Sequence, residues 1–336
     1  MDLLDESLVP NKIQPLKENA RKFSEDTIKP AAAEHFQEGK FPSEIIDQAF
    51  EQGVLGKDIP KDYGGESIGT VGRLAIMEEL FRGDGGIGLT LHNCTNGIEL
   101  LMKHGSAEQK SIYLQEVAAG DSITGLAVSE PETGSDLSSM STEAKRGGGE
   151  YVLNGEKYWI GNGVEADYLT VYAKTGDYDN SLRNYSLFIV PSDSDGFFAE
   201  HIPEKIGLRA SKQGHLVFDD CRIPKSNIIG SEGAGLMYLT RFFNHDRIVV
   251  AGHALGLAAA AIEATWEFTH ERNSYKKKVS DFQSVQHKLA EMRAKFEAAR
   301  ALTYRAAKQV ERRNNPEMWA AYAKMTATRI AGECAE

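Results

Sequence analysis

Residues 125–140, GLAVSEPETGSDLSSM, hold the densest set of groups in the chain that could bind a ligand. A short apolar run, Leu126 to Val128, turns at Ser129-Glu130-Pro131 and closes on Gly134-Ser135-Asp136, where small residues expose backbone N–H groups and hydroxyls. Such a turn suits an anionic or hydrogen-bonding ligand. The same letters also describe a strand that stops at a proline turn, followed by a helix capped by Ser135 or Asp136. A second small-residue stretch, RGDGGIG at 82–88, holds four glycines. It follows a helical pattern and not a strand, so it lacks the setting of a dinucleotide fingerprint and reads as a loop beside a pocket. Cys94, Cys221 and Cys334 lie far apart with no CxxC pair. They predict neither a disulfide framework nor a zinc site, no metal is expected, and a reducing compartment fits.

The elements that must carry these residues change period twice. Residues 11–150 read as mostly helical: Ile13, Leu16, Ala20 and Phe23 form one apolar stripe, Ile45, Ile46, Ala49 and Phe50 another that stops at Gly53. The spacing predicts helices over 70–82 and about 94–103, and a Ser106-led helix start. From about 125 to 230 strands take over. Tyr151-Val-Leu, Asn154-Gly155 and Glu-Lys-Tyr-Trp-Ile predict a hairpin, because Asn-Gly supplies the positive-φ pair of a two-residue turn. Further strands are expected at 168–173, 186–190 and 215–218, giving a small antiparallel β domain. Beyond 235 long helical stripes return, Ile248 to Trp266 and Phe282 to Ala299, with a third helix starting at Pro316. The expected fold class is α+β: an N-terminal helical domain over 1–124, a middle β domain over 125–232 and a long-helix bundle over 233–336.

At 336 residues, 41% hydrophobic and 26% charged, the chain has the composition of a globular protein of two or three domains. The net charge of −11 argues against nucleic-acid and anionic-membrane partners. The N-terminus, MDLLDESLVPNK, carries early acids and no long apolar run, so a cytoplasmic protein is expected.

The stretch at 125–140 resembles the first signature of the acyl-CoA dehydrogenase family. The resemblance continues in YWIGNGVEADYLTVYAKT, KIGLRASKQGHLVFDDCRIPKSNIIG and HERNSYKKKVSDFQSVQHKLAEM. It implies a flavoprotein that removes an α-proton and a β-hydride from an acyl-CoA thioester, forms the enoyl-CoA and passes electrons to an electron-transfer flavoprotein. It further implies that Leu126, Val128 and Ser129 lie against the flavin ring, that Ser135 contacts the FAD pyrophosphate or the CoA arm, and that Trp159 stacks near the dimethylbenzene edge. Arg272 is implied as a pyrophosphate ligand reaching across a homodimer or homotetramer, its guanidinium able to hold two phosphate oxygens. Gln283 would bond the adenosine half. An O2-reducing oxidase on the same scaffold and a non-catalytic partner subunit are the alternative functions.

Three departures from the family pattern matter. Position 161 is usually Thr or Ser, whose hydroxyl helps hold flavin N5; here it is Gly161, so that side-chain donor is expected to be lost. Tyr275-Lys276 stands where relatives have Phe-Gly. Relatives also continue past a point similar to AGECAE into a segment carrying the catalytic Glu, so the sequence is expected to be a shortened chain or a variant without that segment. In the isovaleryl and long-chain branches the base instead precedes an Arg at the start of the long helix, and that pair here is Asp246-Arg247. Asp246 is the candidate base, with an acid in a first helical turn, favoured by the helix dipole and paired with Arg247, as the alternative; Arg247 is expected beside the acyl substrate or in a structural role.

Overall fold

The computed structural model describes residues 8–176, 183–203 and 205–336; residues 1–7 of the acidic N-terminal stretch read above lie outside them. In chain order the elements are helices α1 (Gln14–Phe23) and α2 (Lys29–Glu38), joined by a π turn at Ser24–Ile28, then α3 (Ser43–Glu51), α4 (Gly69–Gly83), α5 (Gly85–Asn93), α6 (Ile98–His104), α7 (Ala107–Gln109) and α8 (Gln115–Ala119). Strands β1 (Thr124–Ala127), β2 (Glu143–Gly147), β3 (Glu150–Gly161), β4 (Tyr168–Lys174), β5 (Tyr185–Pro191), β6 (Phe197–His201) and β7 (Gln213–Pro224) follow. The 37-residue α9 (Gly235–Glu271), the two-residue strands β8 (Asn273–Ser274) and β9 (Lys277–Lys278), α10 (Gln283–Glu311) and α11 (Pro316–Ala335) complete the chain. Helices, sheet and long helices therefore follow in the predicted order. Two compact units form, one from Met1–Ala32, Ile68–Gly88 and Asn244–Glu336, the other from Ala33–Ser67 and Leu89–Phe243.

The second unit is built on the sheet, whose order is β1-β4-β2-β3-β7-β6 with β5 on β4. Its pairings are antiparallel except that β1 runs parallel to β4, and β2 touches β4 in parallel at one position. The long connection between β1 and β4 permits this, where a tight turn would not. One face packs against α6 and α8 through Leu100, Leu101, Leu114, Val117, Tyr168, Tyr172 and Leu187; Leu153, Val171, Phe188 and Leu216 fill the other. The helix predicted at Ser106 starts with a capping box: Gln109 N donates to Ser106 Oγ (3.1 Å) and Ser106 N to Gln109 Oε1 (2.9 Å).

Two local readings are corrected. Asn154-Gly155 is not a turn, because β3 runs straight through it and pairs with β7 on both sides of a register shift at Leu153/Gly155. The positive φ of Gly155 (+137°) makes a bulge instead, pressed on Thr142; the real hairpin joins β2 to β3 at Gly148-Gly149. RGDGGIG is not a loop either. Asp84 Oδ1 accepts from Ile87 N at 2.8 Å and starts α5, and the fully buried Ile87 and Leu91 outweigh the poor helix propensity of the glycines.

The first unit is built from helices, with the short β8–β9 ribbon, and has a charged centre. Glu78 of α4 receives Lys17 Nζ of α1 (3.2 Å), Arg300 Nε of α10 (2.7 Å) and the Tyr304 hydroxyl, and Lys17 also reaches Glu79 at 3.4 Å. All five side chains are buried. Burial alone would raise the Glu78 carboxyl, but Lys17 and Arg300 hold it below the usual range. Glu79, whose burial is less offset, is pushed up. Helix α9 is long and apolar enough to cross a membrane by length and composition, and 61% of that window is buried inside the protein.

Candidate active site

Strand β1 ends at Ala127, and three successive residues beyond it are pinned to β3. Lys157 Nζ donates to the Val128 carbonyl (2.9 Å) and to Glu130 Oε1 (2.8 Å), while Tyr158 N donates to the Ser129 carbonyl (2.8 Å). Glu130 is held from its other side by Ser141 N (2.6 Å), Ser141 Oγ (2.7 Å) and Thr142 N (2.9 Å). Burial would raise the Glu130 carboxyl, but Lys157 and the Ser141 donors hold it at about 2. Burial pulls the Lys157 ammonium down to about 8 against the opposing pull of Glu130. Both groups are charged at neutral pH. The pair, with Lys157 fully buried, fixes the 128–130 turn beside the next residues of β3.

Those next residues are unusual. The register of β3 against β7 shifts between Lys157 and Ile160, and Trp159 sits there at φ +64°, a region bulky residues rarely enter. Trp159 is 55% exposed, edge-on to Tyr158 at 5.1 Å between ring centroids. Local strain of this kind concentrates at binding sites. Leu126 is half-buried, Val128 buried and Ser129 half-buried, so the turn and the indole together present an apolar face edged by backbone polar groups.

Farther along, Glu130 N donates to Thr133 O (2.8 Å), closing the proline turn. Asp136 Oδ1 accepts from Ser138 N (3.0 Å) and Ser138 Oγ (2.6 Å) and caps a short 3-10 turn at Leu137–Ser139. Of the two caps considered, Asp136 takes the role, and Ser135 is left exposed.

Gly161 closes β3, and the space over its Cα is taken. A Cβ there would lie 2.8 Å from Asn93 Cγ and nearer still to Nδ2, so a larger residue fits only if Asn93 moves. Asn93 is 7% exposed at the end of α5. Nearby, Asn162 Nδ2 donates to Thr90 O at 3.1 Å, while Asn162 Oδ1 is buried without a hydrogen-bond partner among the described residues. A flat ring with polar edges fits beside the exposed indole and the pinned turn.

The remaining predicted residues belong to the first unit. Asp246 is half-buried with Oδ1 shielded from solvent, but α9 begins at Gly235, which puts Asp246 about three turns in. The first-turn dipole reading of Asp246 is therefore incorrect. Arg247 is exposed and its Nη1 donates to Asn244 Oδ1 (3.1 Å), which in turn donates from Nδ2 to Glu317 Oε1 (3.3 Å). Arg272, exposed, follows the end of α9 just before the β8–β9 turn, and its carbonyl accepts from Val279 N at 2.9 Å; Gln283, also exposed, opens α10. Tyr275 and Lys276 occupy that turn at φ +47° and +66°, the left-handed pair of a tight hairpin. Beside it, Trp266, His270, Lys278, Asp281 and Arg293 line a cleft of about 930 Å3.

Sequence reasoning quoted Glu130 and Lys157 without giving them a role, although a charged residue inside the run Glu-Lys-Tyr-Trp-Ile was the available signal. It missed the approach of Asn93 to Gly161, which depends on how α5 meets β3; no local pattern encodes that.

Three consecutive domain models match this chain: acyl-CoA dehydrogenase N-terminal domain at residues 11–121, middle domain at 125–221 and C-terminal domain at 233–336. Mitochondrial isovaleryl-CoA dehydrogenase of Pongo abelii is 36% identical over 297 residues, covering 87% of this chain and 70% of that one. Butyryl-CoA dehydrogenase from Megasphaera elsdenii superposes with a TM-score of 0.93 at 29% identity, over 99% of this chain and 87% of that one. A chain solved in work on the electron transferring flavoprotein of Acidaminococcus fermentans and flavin-based electron bifurcation superposes with a TM-score of 0.93 at 33% identity, over 99% and 87%.

Proposed function

Because the chain belongs to the acyl-CoA dehydrogenase family, we propose that it binds FAD along Val128, Ser129 and Trp159 and oxidises a short acyl-CoA thioester to its enoyl-CoA. The observation that carries this reading is the pinned turn: Val128, Ser129 and Glu130 are all bonded to residues 157–158, beside a half-exposed Trp159 in a strained conformation. The names of the relatives, isovaleryl and butyryl, support a short linear or branched acyl group. When bound, the flavin accepts the β-hydrogen as hydride. The protein's own part is to hold the ring edge rigid, to keep the apolar face dry and to supply a base for the α-proton. Asp246 is the carboxylate proposed for that base, and Arg247 a substrate-side contact. Ser135, exposed beyond the capped turn, is free to meet a phosphate of the FAD or the CoA. Arg272 and Gln283 are proposed as ligands for the pyrophosphate and adenosine of FAD in a homodimer or homotetramer. A cytoplasmic enzyme handing electrons to an electron-transfer flavoprotein completes the reading, supported by the family and by the Acidaminococcus work named above.

The test is reconstitution of the purified protein with FAD, followed by anaerobic mixing with a panel of short acyl-CoA thioesters. Flavin uptake near one per chain and bleaching by at least one thioester are expected. Failure to take up FAD would refute the reading; bleaching followed by rapid peroxide formation in air would identify an oxidase instead.

A further inference from the structure

The pairing of β3 with β7 lapses between Lys157, opposite Leu216, and Ile160, opposite Gly214. Tyr158 and Trp159 on one strand and His215 on the other fall in that gap. No pairing of β3 with β7 fixes them, so their side-chain contacts must. Three rings meet there. His215 lies 5.0 Å from Tyr158 between centroids, tilted by 57°. Tyr158 stands edge-on to Trp159 at 5.1 Å, the indole's one ring contact among the described residues.

The His215 ring is held from both ends. Its Nε2 meets Glu156 Oε2 of β3 at 2.8 Å, and its Nδ1 meets Glu200 Oε1 of β6 at 3.2 Å. A neutral imidazole has one N–H and would turn a lone pair toward the second carboxylate, whereas an imidazolium donates to both. Burial would pull the ring below its ordinary 6.5, but the bonds to Glu156 and Glu200 raise it above that value. β3 turns Glu156 and Tyr158 toward the ring and β6 turns Glu200; His201, the next residue of β6, pairs with Glu165 instead, at 3.4 Å. Because the folded value is raised, the double clamp is complete below pH 6.5 and is lost as pH rises through the folded value.

We infer that His215 is a positioning residue: clamped between Glu156 and Glu200 it fixes Tyr158 and, through Tyr158, the stance of the Trp159 indole, so that flavin binding weakens when the ring loses its proton. The flavin arm rests on the reading that FAD lies along Val128, Ser129 and Trp159; the clamp on the indole does not.

Two measurements on the full chain test it. Trp159 emission is followed without FAD from about pH 5.5 to about 9, the range of a perturbed histidine. The background is Trp266→Phe/Trp319→Phe, because Trp266 stacks on another histidine, His270, at 4.2 Å. Should that background not fold, the difference in emission between the parent and Trp159→Phe gives the same quantity. FAD affinity, by flavin fluorescence quenching, is followed over the same range in the chain with all its tryptophans. Emission should change in one step centred above pH 6.5. FAD affinity should fall about two- to fivefold as pH rises across that step, the worth of an exposed charge pair. His215→Gln should abolish both steps, and Glu200→Gln should move them to lower pH. Tyr158→Leu, which keeps the clamp and cuts the ring contact, should abolish the emission step.

No step in the parent, or steps that persist in His215→Gln, would overturn the inference. So would an emission step across which FAD affinity stays flat. A parent protein that takes up no FAD overturns the functional reading instead, and the emission arm still decides the clamp.

Discussion

Replacing Lys157 with Met removes the cation that holds the 128–130 turn and keeps a side chain of similar length. Glu130, 5% exposed, would then retain the Ser141 and Thr142 donors but no counter-charge. Breaking a buried pair from one side costs about 3–5 kcal/mol, and the three remaining donors place this case near the lower end, about 3 kcal/mol. The Val128 carbonyl loses its 2.9 Å partner as well, for about 1 kcal/mol more. A loss of about 4 kcal/mol corresponds to a fall of roughly 8–16 °C in melting temperature for a unit of this size. Calorimetry near neutral pH, with FAD retention measured on the same sample, is the assay. The pH dependence gives an independent arm. The folded pKa of Glu130, about 2, is depressed below its ordinary 4.5, so its contribution is fully present above about pH 4.5 and is lost as pH falls towards 2. The gap between parent and variant should thus be flat from about pH 7 to 5 and narrow below that. A variant within about 1 kcal/mol of the parent, or a gap unchanged in acid, would refute the idea that this ion pair anchors the turn.

Asp246→Asn should slow single-turnover flavin reduction by about 10²–10⁴-fold at matched FAD content, and a parental rate would place the base elsewhere. Arg272→Ala should lose FAD while its circular dichroism stays that of the parent, because the side chain is exposed and contributes nothing to the core; undiminished flavin would exclude it as a ligand. Glu78→Ala strands Lys17 and Arg300 in the interior and should cost about 3–5 kcal/mol in urea unfolding, with a loss under about 1 kcal/mol counting against a charged cluster. Lys276→Gly relieves a left-handed residue and should gain about 0.5–1 kcal/mol; no gain would mean the β8–β9 turn takes another conformation.

The helices that announced themselves in the sequence are those whose apolar stripes bury one face. Ile45, Ile46 and Ala49 in α3 and Leu289, Phe296 and Ala299 in α10 are buried as their spacing demands. The misreadings share a cause: local propensity was overruled by packing. Asn-Gly favours a turn, but β7 pairs along the whole of β3 and converts it to a bulge. Four glycines disfavour a helix, but Ile87 and Leu91 are needed in the core. At the site, the 125–140 turn and Trp159 were visible as letters. What fixes them, Lys157 on Val128 and Glu130, joins residues 27 to 29 apart in sequence, a distance over which spacing carries no information. The packing of Asn93 on Gly161 was out of reach for the same reason, and Asp246 was misplaced because nothing local marks Gly235 as the start of α9.

The charged centre of the first unit also sets a timetable. Lys17 and Glu78 are made early, but Arg300 lies 222 residues after Glu78 and Tyr304 lies 287 after Lys17. At about 5–20 residues per second, Glu78 waits roughly 10–45 s on the ribosome for its guanidinium partner. Throughout that interval α1 and α4 hold an ammonium and two carboxylates that cannot be buried in final form, and these helices stay wet. All of the second unit, which ends at Phe243, leaves the ribosome before Arg300 is added. Synthesis therefore favours a nascent chain whose sheet is finished while its first helices are still waiting for its last ones.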